Sequence, residues 1–149
     1  MQFCLPREET LFFAVLDYFR PLFQDLQGNV QIIVHQSVYP LLDLTNISDC
    51  IPVLQGDLDK FGLPSKDFLE QLCPQRYLAA VDLNPDFNLY SAFLTLKTEA
   101  PKRIGFRSPE ADQFFNVQVT PSRSGSVSGS LGQIEKIILP EIGQIRQAS

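Results

Sequence analysis

Short apolar runs alternate along this chain with longer stretches of helical periodicity. The run over 78–83 is apolar apart from Asp82; it is too short for a helix, and it lacks the alternation of a strand with one wet face. We therefore predict a strand covered on both faces, which is typical of a parallel sheet. A helical stripe and a second strand over 102–106 follow. This order predicts a βαβ unit, whose crossover is expected to be right-handed.

Local signals predict the ends of the helix in this unit. Asn84 suits the N-cap, Pro85 the first turn, and Asp86 the positive end of the helix dipole. Pro101 ends the helix, because the residue before a proline disfavours helical backbone. Tyr90, Phe93 and Leu94 are predicted to fall on one face of this helix.

The same alternation precedes this unit. A short strand over 1–5 leads into an amphipathic helix over 8–26, and a buried strand over 30–35 follows directly. Weaker signals predict four further elements: a helical turn over 37–43, a strand over 51–54, a helix over 64–73 and an edge strand over 114–119. The pattern predicts an α/β domain with a mostly parallel sheet of roughly five or six strands and helices on both faces.

The composition changes at Thr120. Residues 120–132 are rich in Ser and Gly and hold too few apolar side chains to offset the entropy of ordering them, so we predict a mobile linker. An amphipathic helix is predicted over 133–149. One face of this helix carries the isoleucine stripe, which comprises Ile134, Ile137, Ile138, Ile142 and Ile145. We expect the stripe to cover either the sheet of its own chain or a neighbour, which would be a partner protein or a second copy in a twofold dimer.

Length and charge narrow the class of protein. The chain has 149 residues, which suits a single domain over 1–119 followed by the linker and the helix. The net charge is -5 and the 12 Lys and Arg residues are dispersed, which argues against nucleic acid and anionic lipid as partners. The sequence has no apolar run of about 18 residues, so no membrane span is predicted.

The cysteines indicate a reducing compartment. Cys4, Cys50 and Cys73 are odd in number and widely spaced, which fits reduced core thiols better than disulfides or a metal site. We therefore predict a cytoplasmic protein. The sequence has no Walker loop, no dinucleotide-binding glycine motif, no nucleophile elbow and no metalloprotease motif. Neither a cofactor nor a metal is predicted.

Two acidic residues follow the first strand, at the edge where open α/β sheets bind ligands. This position makes Glu8 or Glu9 a candidate general base. The alternative, which we favour, is that both residues stabilise the N-terminus of the following helix.

Four other polar residues are candidate ligand contacts. Asp82 and Asn84 follow the central strand, and His35, the single histidine, ends another buried strand. Arg103 begins a strand and is a candidate contact for an anionic acceptor. Each has a structural alternative: a helix-starting turn for Asp82 and Asn84, and a solvated strand edge for Arg103. A lone histidine is a poor metal ligand or catalytic base.

Two stretches carry a resemblance to a known family. The text AAVDLNPDFNLYSAFLTLKTEAPKRIGF over 79–106 resembles the aspartate-ended strand, the Ser-Ala helix and the Ile-Gly-Phe return strand of the heptosyltransferases, glycosyltransferase family nine. FFNVQV over 114–119 resembles their next strand. These bacterial enzymes carry sugars to lipopolysaccharide cores and have two Rossmann-like domains in a GT-B arrangement. The resemblance implies a three-layer Rossmann-like fold, the acceptor-side half of that arrangement, and a glycan acceptor as partner.

The turn after the first strand departs from that family. In the family this turn contains a glycine and an aspartate taken as the base for the acceptor hydroxyl, whereas Glu9 and Thr10 stand at those places here. The site is therefore predicted to be degenerate, and the charges of Glu8 and Glu9 disfavour phosphate at the helix N-terminus. We expect a non-catalytic binding or interaction module. The alternative is the acceptor-binding half of a glycosyltransferase, completed by a separate sugar-nucleotide domain.

Overall fold

Six strands form one parallel sheet at the centre of the molecule. The computed structural model describes residues 1–44, 47, 50–72, 76–121 and 127–148. The strands are β1 (Gln2–Cys4), β2 (Gln31–His35), β3 (Cys50–Val53), β4 (Ala79–Asp82), β5 (Lys102–Phe106) and β6 (Val117–Val119). Their order across the sheet is β3-β2-β1-β4-β5-β6, and every pairing in it is parallel. The predicted parallel sheet is confirmed, with β1 and β4 adjacent at its centre.

Helices cover both faces of this sheet. They are α1 (Glu9–Asp25), α2 (Lys66–Leu72), α3 (Leu89–Lys97) and α4 (Ser128–Ala148), with short 3₁₀ turns at Tyr39–Leu44, Gln55–Asp57 and Ala111–Gln113. Because successive strand side chains point to opposite faces, Phe3 packs with residues of α1 and α4, whereas Cys4 packs with Phe68 of α2 and Tyr90 of α3. The result is the predicted three-layer α/β fold. Within the described ranges, no helix is both long and apolar enough to cross a membrane.

Several elements lie within a few residues of their predicted bounds. α1 begins one residue after the predicted start and ends one residue before the predicted end, and β5 has the predicted bounds. β6 is shorter than the predicted edge strand because a 3₁₀ turn and a buried Phe115 precede it. Cys4 is buried and Cys50 is partly buried. The predicted end of α2 at Cys73 and Pro74 lies outside the described residues.

The start of α3 differs from the prediction. The helix begins at Leu89, and its N-cap is Asn88, whose side chain accepts the backbone N–H of Tyr90 at 3.2 Å. The prediction that residues 84–86 start this helix is therefore wrong. Asn84 is instead buried, and its side-chain amide donates to side chains of β4 and α3. A buried amide needs partners, and this requirement outweighs the local preference of asparagine for a helix cap.

The last helix begins earlier than predicted. α4 starts at Ser128, so the end of the segment predicted as a linker is helical; residues 122–126 lie outside the described ranges. Leu131 explains the early start, because it is 1% exposed and belongs to the same core cluster as Ile134. Burying a leucine stabilises the fold by roughly 1.5–3 kcal/mol, which offsets part of the entropic cost of ordering the glycines and serines around it.

The isoleucine stripe covers the sheet of its own chain. Ile134, Ile138 and Ile142 are buried in the same core cluster as Phe3, and the other members of the stripe pack at the margin of that cluster. Lys102 of β5 connects α4 to the sheet. Its Nζ lies 2.8 Å from the Glu141 carboxylate and donates to a backbone carbonyl oxygen of α4 at 2.9 Å. This is one of the two predicted arrangements, and the twofold dimer stays a prediction.

Candidate binding cleft at the carboxyl edge of the sheet

A cleft opens where the chain reverses its direction of travel across the sheet. From β1 the chain moves outward through β2 and β3, whereas β4 lies on the other side of β1 and leads outward through β5 and β6. The loops after β1 and β4 therefore diverge, and open α/β sheets bind ligands at such a point. The cleft has a volume of about 460 Å³ and is lined by residues 6–8, Leu11, Leu58, Gly62 and 84–90.

Glu8 lines this cleft, but the backbone of α1 engages its carboxylate. Oε1 accepts the N–H of Thr10 at 3.1 Å, and Oε2 accepts the N–H of Leu11 at 2.8 Å. These bonds, that of Leu11 first, lower the pKa of the Glu8 carboxyl. Glu9 is exposed in the first turn of α1 and is not among the lining residues. This placement supports the interpretation of both residues as helix-stabilising groups.

Asp82 ends β4 at this edge and forms a buried cluster with Asn84 and Ser91, which we call the Asp82 network. Asp82 Oδ1 accepts the backbone N–H of Asn84 at 3.1 Å and its side-chain Nδ2–H at 2.7 Å. Oδ2 accepts the Ser91 hydroxyl at 2.8 Å. Asp82 is 2% exposed, and of the three residues only Asn84 reaches the cleft lining. The Asp82 network therefore ties the loop after β4 to α3.

Burial dominates the electrostatics of Asp82. It raises the pKa of this carboxyl from 3.8 to about 6, although the hydrogen bonds from Asn84 and Ser91 act in the opposite direction. The folded protein therefore holds this proton more tightly than the unfolded chain does. The stability that the group contributes is fully present below pH 3.8 and is lost as the pH rises through about 6.

We expect Asp82→Asn to flatten the pH dependence of stability in this range. The difference of about two pKa units corresponds to about 3 kcal/mol. As the pH rises through this range, the free energy of unfolding of the parent protein should fall by up to that amount, whereas that of the variant should not fall. Urea denaturation at a series of pH values measures both slopes. His35 contributes a slope of opposite sign to both proteins, because burial and then the charge of Arg7 lower its pKa, and it cancels in the comparison. Equal slopes would show that Asp82 does not titrate in this way.

Arg7 and Tyr90 are cleft residues that sequence reasoning missed. Tyr90 is 4% exposed, and its buried hydroxyl has no hydrogen-bond partner among the described residues. Burial raises the pKa of Tyr90, and the positive charge of the exposed Arg7 partly opposes that effect. The helical pattern assigns Tyr90 to the core, and an arginine in a loop carries no signal of its own, so the sequence indicated neither residue.

His35 lies beside Tyr90 and outside the cleft lining. The two ring centroids are 6.1 Å apart. His35 Nδ1 accepts the backbone N–H of Ser37 at 3.1 Å, and burial together with the charge of Arg7 lowers the pKa of the imidazole. The ring is therefore neutral at neutral pH, and Arg7 is the cationic group of this corner.

Arg103 lies apart from the other candidate site residues. Its Nε donates to the carbonyl oxygen of Phe114 at 3.2 Å, and its Nη1 donates to that of Ala100 at 3.0 Å. Both carbonyls precede strands, so the guanidinium lies at the amino edge of the sheet, opposite the cleft. Among the described side chains, no three of His, Cys, Asp and Glu come together as a metal site would require.

Comparison with known proteins extends the description of the fold. No protein-family model matches the sequence, and a search of curated proteins gives no match. Among solved structures, the chain is similar to ADP-heptose LPS heptosyltransferase II of E. coli, with a TM-score of 0.60 and 18% sequence identity. The similarity covers 83% of this chain and 35% of that enzyme.

This similarity confirms the expected architecture. At 18% identity it establishes a shared fold, a Rossmann-like α/β domain of the heptosyltransferase type. The chain spans about a third of the length of that enzyme, since the match covers 35% of it.

Proposed function

We propose that this domain is a non-catalytic, heptosyltransferase-like binding module whose cleft takes a glycan. The observation that carries the proposal is the engagement of Glu8, whose two carboxylate oxygens both accept backbone N–H groups of α1. A general base needs a free lone pair within reach of the substrate proton and a pKa near the working pH. Two backbone N–H groups hold the Glu8 carboxylate against the N-terminus of α1, and its pKa is shifted away from that range.

Asp82 does not replace Glu8 as a base. It is 2% exposed and lies outside the cleft lining, and three donors from Asn84 and Ser91 occupy its oxygens. Its bonds hold the loop after β4 in place, which is a structural role. The hydrogen bonds of Glu8 and Asp82 therefore favour binding over proton abstraction as the function of the cleft.

The lining favours a sugar as the ligand. Phe87 contributes aromatic surface, while Asp86 and Asn88 contribute polar groups that can form hydrogen bonds with hydroxyls. A volume of about 460 Å³ falls within the range of roughly 300–1,000 Å³ that is usual for small-ligand clefts. The structural similarity to a heptosyltransferase supports the same class of ligand, because the acceptor named for that enzyme is LPS.

A titration separates binding from catalysis. We expect a deacylated LPS core oligosaccharide to perturb the amide resonances of residues 84–90, and we expect ADP-heptose to leave them unchanged. The reason is that Glu8 and Asp86 add negative charge to the lining, which disfavours a diphosphate. Nuclear magnetic resonance of the whole chain measures both, and mass spectrometry checks for a heptosylated product. Affinity for ADP-heptose of roughly 10 μM or tighter, about -7 kcal/mol, would contradict the proposal.

The acceptor-binding half of a glycosyltransferase is the second candidate. It is favoured by Asp86, an exposed carboxylate that lines the cleft and is placed to accept a proton from a bound hydroxyl. Under this alternative, heptosyl transfer appears when a sugar-nucleotide domain is supplied. Loss of that transfer in Asp86→Asn would then identify the base, and absence of transfer leaves the binding module as the function.

A further inference from the structure

The loop over 84–90 forms one wall of the cleft, and the buried pair of Asp82 and Ser91 lies at its base. Every residue of this loop lines the cleft. Asp82 accepts two hydrogen bonds from Asn84, where the loop begins, and Ser91 follows the last residue of the loop directly. Neither Asp82 nor Ser91 is among the lining residues, so an effect of either on a ligand must act through the loop.

The Ser91 hydroxyl has two acceptors within reach but carries one hydrogen. Its Oγ lies 2.8 Å from Oδ2 of Asp82 and 3.2 Å from the backbone carbonyl oxygen of Asn88, which belongs to the loop. An ionised Asp82 can only accept hydrogen bonds. In that state the Ser91 hydroxyl donates to Asp82, and the carbonyl of Asn88 loses this donor.

A proton on Asp82 satisfies both contacts at once. The neutral acid donates from Oδ2 to Ser91 Oγ, and the Ser91 hydroxyl then donates to the carbonyl oxygen of Asn88. Oδ1 still accepts both N–H groups of Asn84, whose amide also lies 3.2 Å from Ser91 Oγ. The chain of hydrogen bonds therefore reaches both ends of the loop only when Asp82 is neutral.

We propose that Asp82 and Ser91 are positioning residues of the cleft, and that the neutral form of Asp82 holds the 84–90 loop in the conformation that binds the ligand. The inference rests on the proposed glycan-binding function and adds a regulation of that site by pH. A loop that is ordered in advance loses less conformational entropy on binding, which raises the affinity. Burial raises the pKa of the Asp82 carboxyl to about 6, so the loop is closed at lower pH and loosens as the pH rises through that value.

The titratable groups around Asp82 do not produce the same change. Among the described side chains, Cys4 of β1 and Tyr90 of α3 interact with its charge, and burial raises the pKa of both, so both stay neutral while Asp82 titrates. The charged residues of β5 lie at the opposite edge of the sheet, where that strand begins. His35, beside Tyr90, is present in all the variants below and cancels when they are compared.

A serine variant tests the positioning role. Ser91→Ala is expected to speed amide hydrogen exchange in residues 84–90 and, at about pH 5, to weaken binding of the deacylated LPS core oligosaccharide about fivefold, as the loss of a buried hydrogen bond implies. Thr95→Val is the matched control, because Thr95 is buried on the same helix and its hydroxyl donates to the backbone of Ser91 and not to the loop. This control should change neither quantity. Equal effects of the two variants would indicate a general loosening of α3 and would overturn the positioning role.

A pH profile separates positioning from a purely structural role. From about pH 5 to about pH 7.5, the affinity of the parent protein for the oligosaccharide is expected to fall about fivefold, together with the protection of the loop against exchange. Asp82→Asn carries a permanent donor, since its side-chain amide replaces the acid O–H that faces Ser91. This variant is therefore expected to bind at the higher pH as tightly as the parent protein binds at the lower pH. Titration of phosphates on the oligosaccharide is common to all the proteins and cancels.

The other outcomes are equally decisive. A profile of Asp82→Asn that falls as the parent's does would place the titrating group elsewhere and overturn the inference. Unchanged exchange of the loop in Ser91→Ala, or changed exchange with unchanged affinity, would also overturn it while the binding function stands. Absence of oligosaccharide binding by the parent protein at the lower pH would overturn the proposed function, and this inference with it.

Discussion

Gly105→Ala is expected to lower the free energy of unfolding by about 3 kcal/mol, at the upper end of the usual cost of overpacking a core. A β-carbon at position 105 would lie less than 3.0 Å from three ring carbons of Phe115, closer than real β-carbons approach. The ring has little room to withdraw, because it is 5% exposed and packs against Ala92 of α3 and against Ala111. Urea denaturation measures the loss.

Gly143→Ala provides the matched control for this prediction. Gly143 lies inside α4, and a β-carbon there would meet no atom within 4 Å. Because alanine is the better helix former, this variant should gain up to about 1 kcal/mol. Adding Phe115→Leu to Gly105→Ala should restore part of the lost stability by making room beside β5. Full stability of Gly105→Ala alone would contradict the packing of Phe115 described above.

The same contact explains a feature of the sequence. The Ile-Gly-Phe stretch of β5 resembles the return strand of the heptosyltransferases. The amino-acid sequence alone gives no conformational reason for the glycine in this stretch. In the structure, the glycine leaves space for the Phe115 side chain to lie across the strand. Its role is therefore in packing between β5 and the segment before β6, and not in the approach of a ligand to the backbone.

Changing Ile138 and Ile142 together to Asp is expected to unfold the protein or to lower its melting temperature by more than about 15 °C. Both side chains are buried, at 0% and 2% exposure, among the apolar residues of the core cluster. Each unpaired carboxylate costs several kcal/mol, and two such costs rival a total stability of roughly 5–15 kcal/mol. The stripe covers its own sheet, so the melting temperature should fall while the molar mass from light scattering stays that of the parent protein.

Leu139→Asp is the control on the same helix. Leu139 is 53% exposed, so the charge stays in water and the free energy of unfolding should change by no more than about 0.5 kcal/mol. A lower molar mass for the double variant, relative to the parent protein, would instead show that the stripe is exchanged between two copies. Unchanged mass together with an unchanged melt would mean that α4 does not contribute to the core.

The sheet could be predicted from the sequence because burial on both faces leaves a direct mark. The run over 79–82 has no polar alternation, and the run over 1–5, which holds its neighbour β1, is similarly short and largely apolar. Such runs are typical of parallel strands, and parallel strands require the connecting helices that the periodicity of α1 then indicates. The fold class follows from these two signals alone.

Two boundaries could not be predicted, because distant side chains decided them. Local preference places a helix start at Asn84, but the Asp82 network captures that side chain and the helix begins only after Asn88. Local composition likewise predicts a linker up to Gly132, but Leu131 finds a place in the core and the last helix starts at Ser128. In both cases a tertiary contact outweighs a local preference of about 1 kcal/mol.

For the candidate site too, the sequence determined some features and the tertiary structure decided the others. The sequence by itself placed Glu8, Asp82 and His35 at one edge of the sheet, since each follows or ends a parallel strand and the carboxyl ends of such strands share an edge. It did not determine how these groups are used: hydrogen bonds with the α1 backbone occupy Glu8, and the Asp82 network occupies Asp82. Only the tertiary structure brings Arg7 and Tyr90 to one cleft. The helical periodicity of α3 marks Tyr90 as core, and the loop after β1 must lie beside the first turn of that helix before both residues line the cleft.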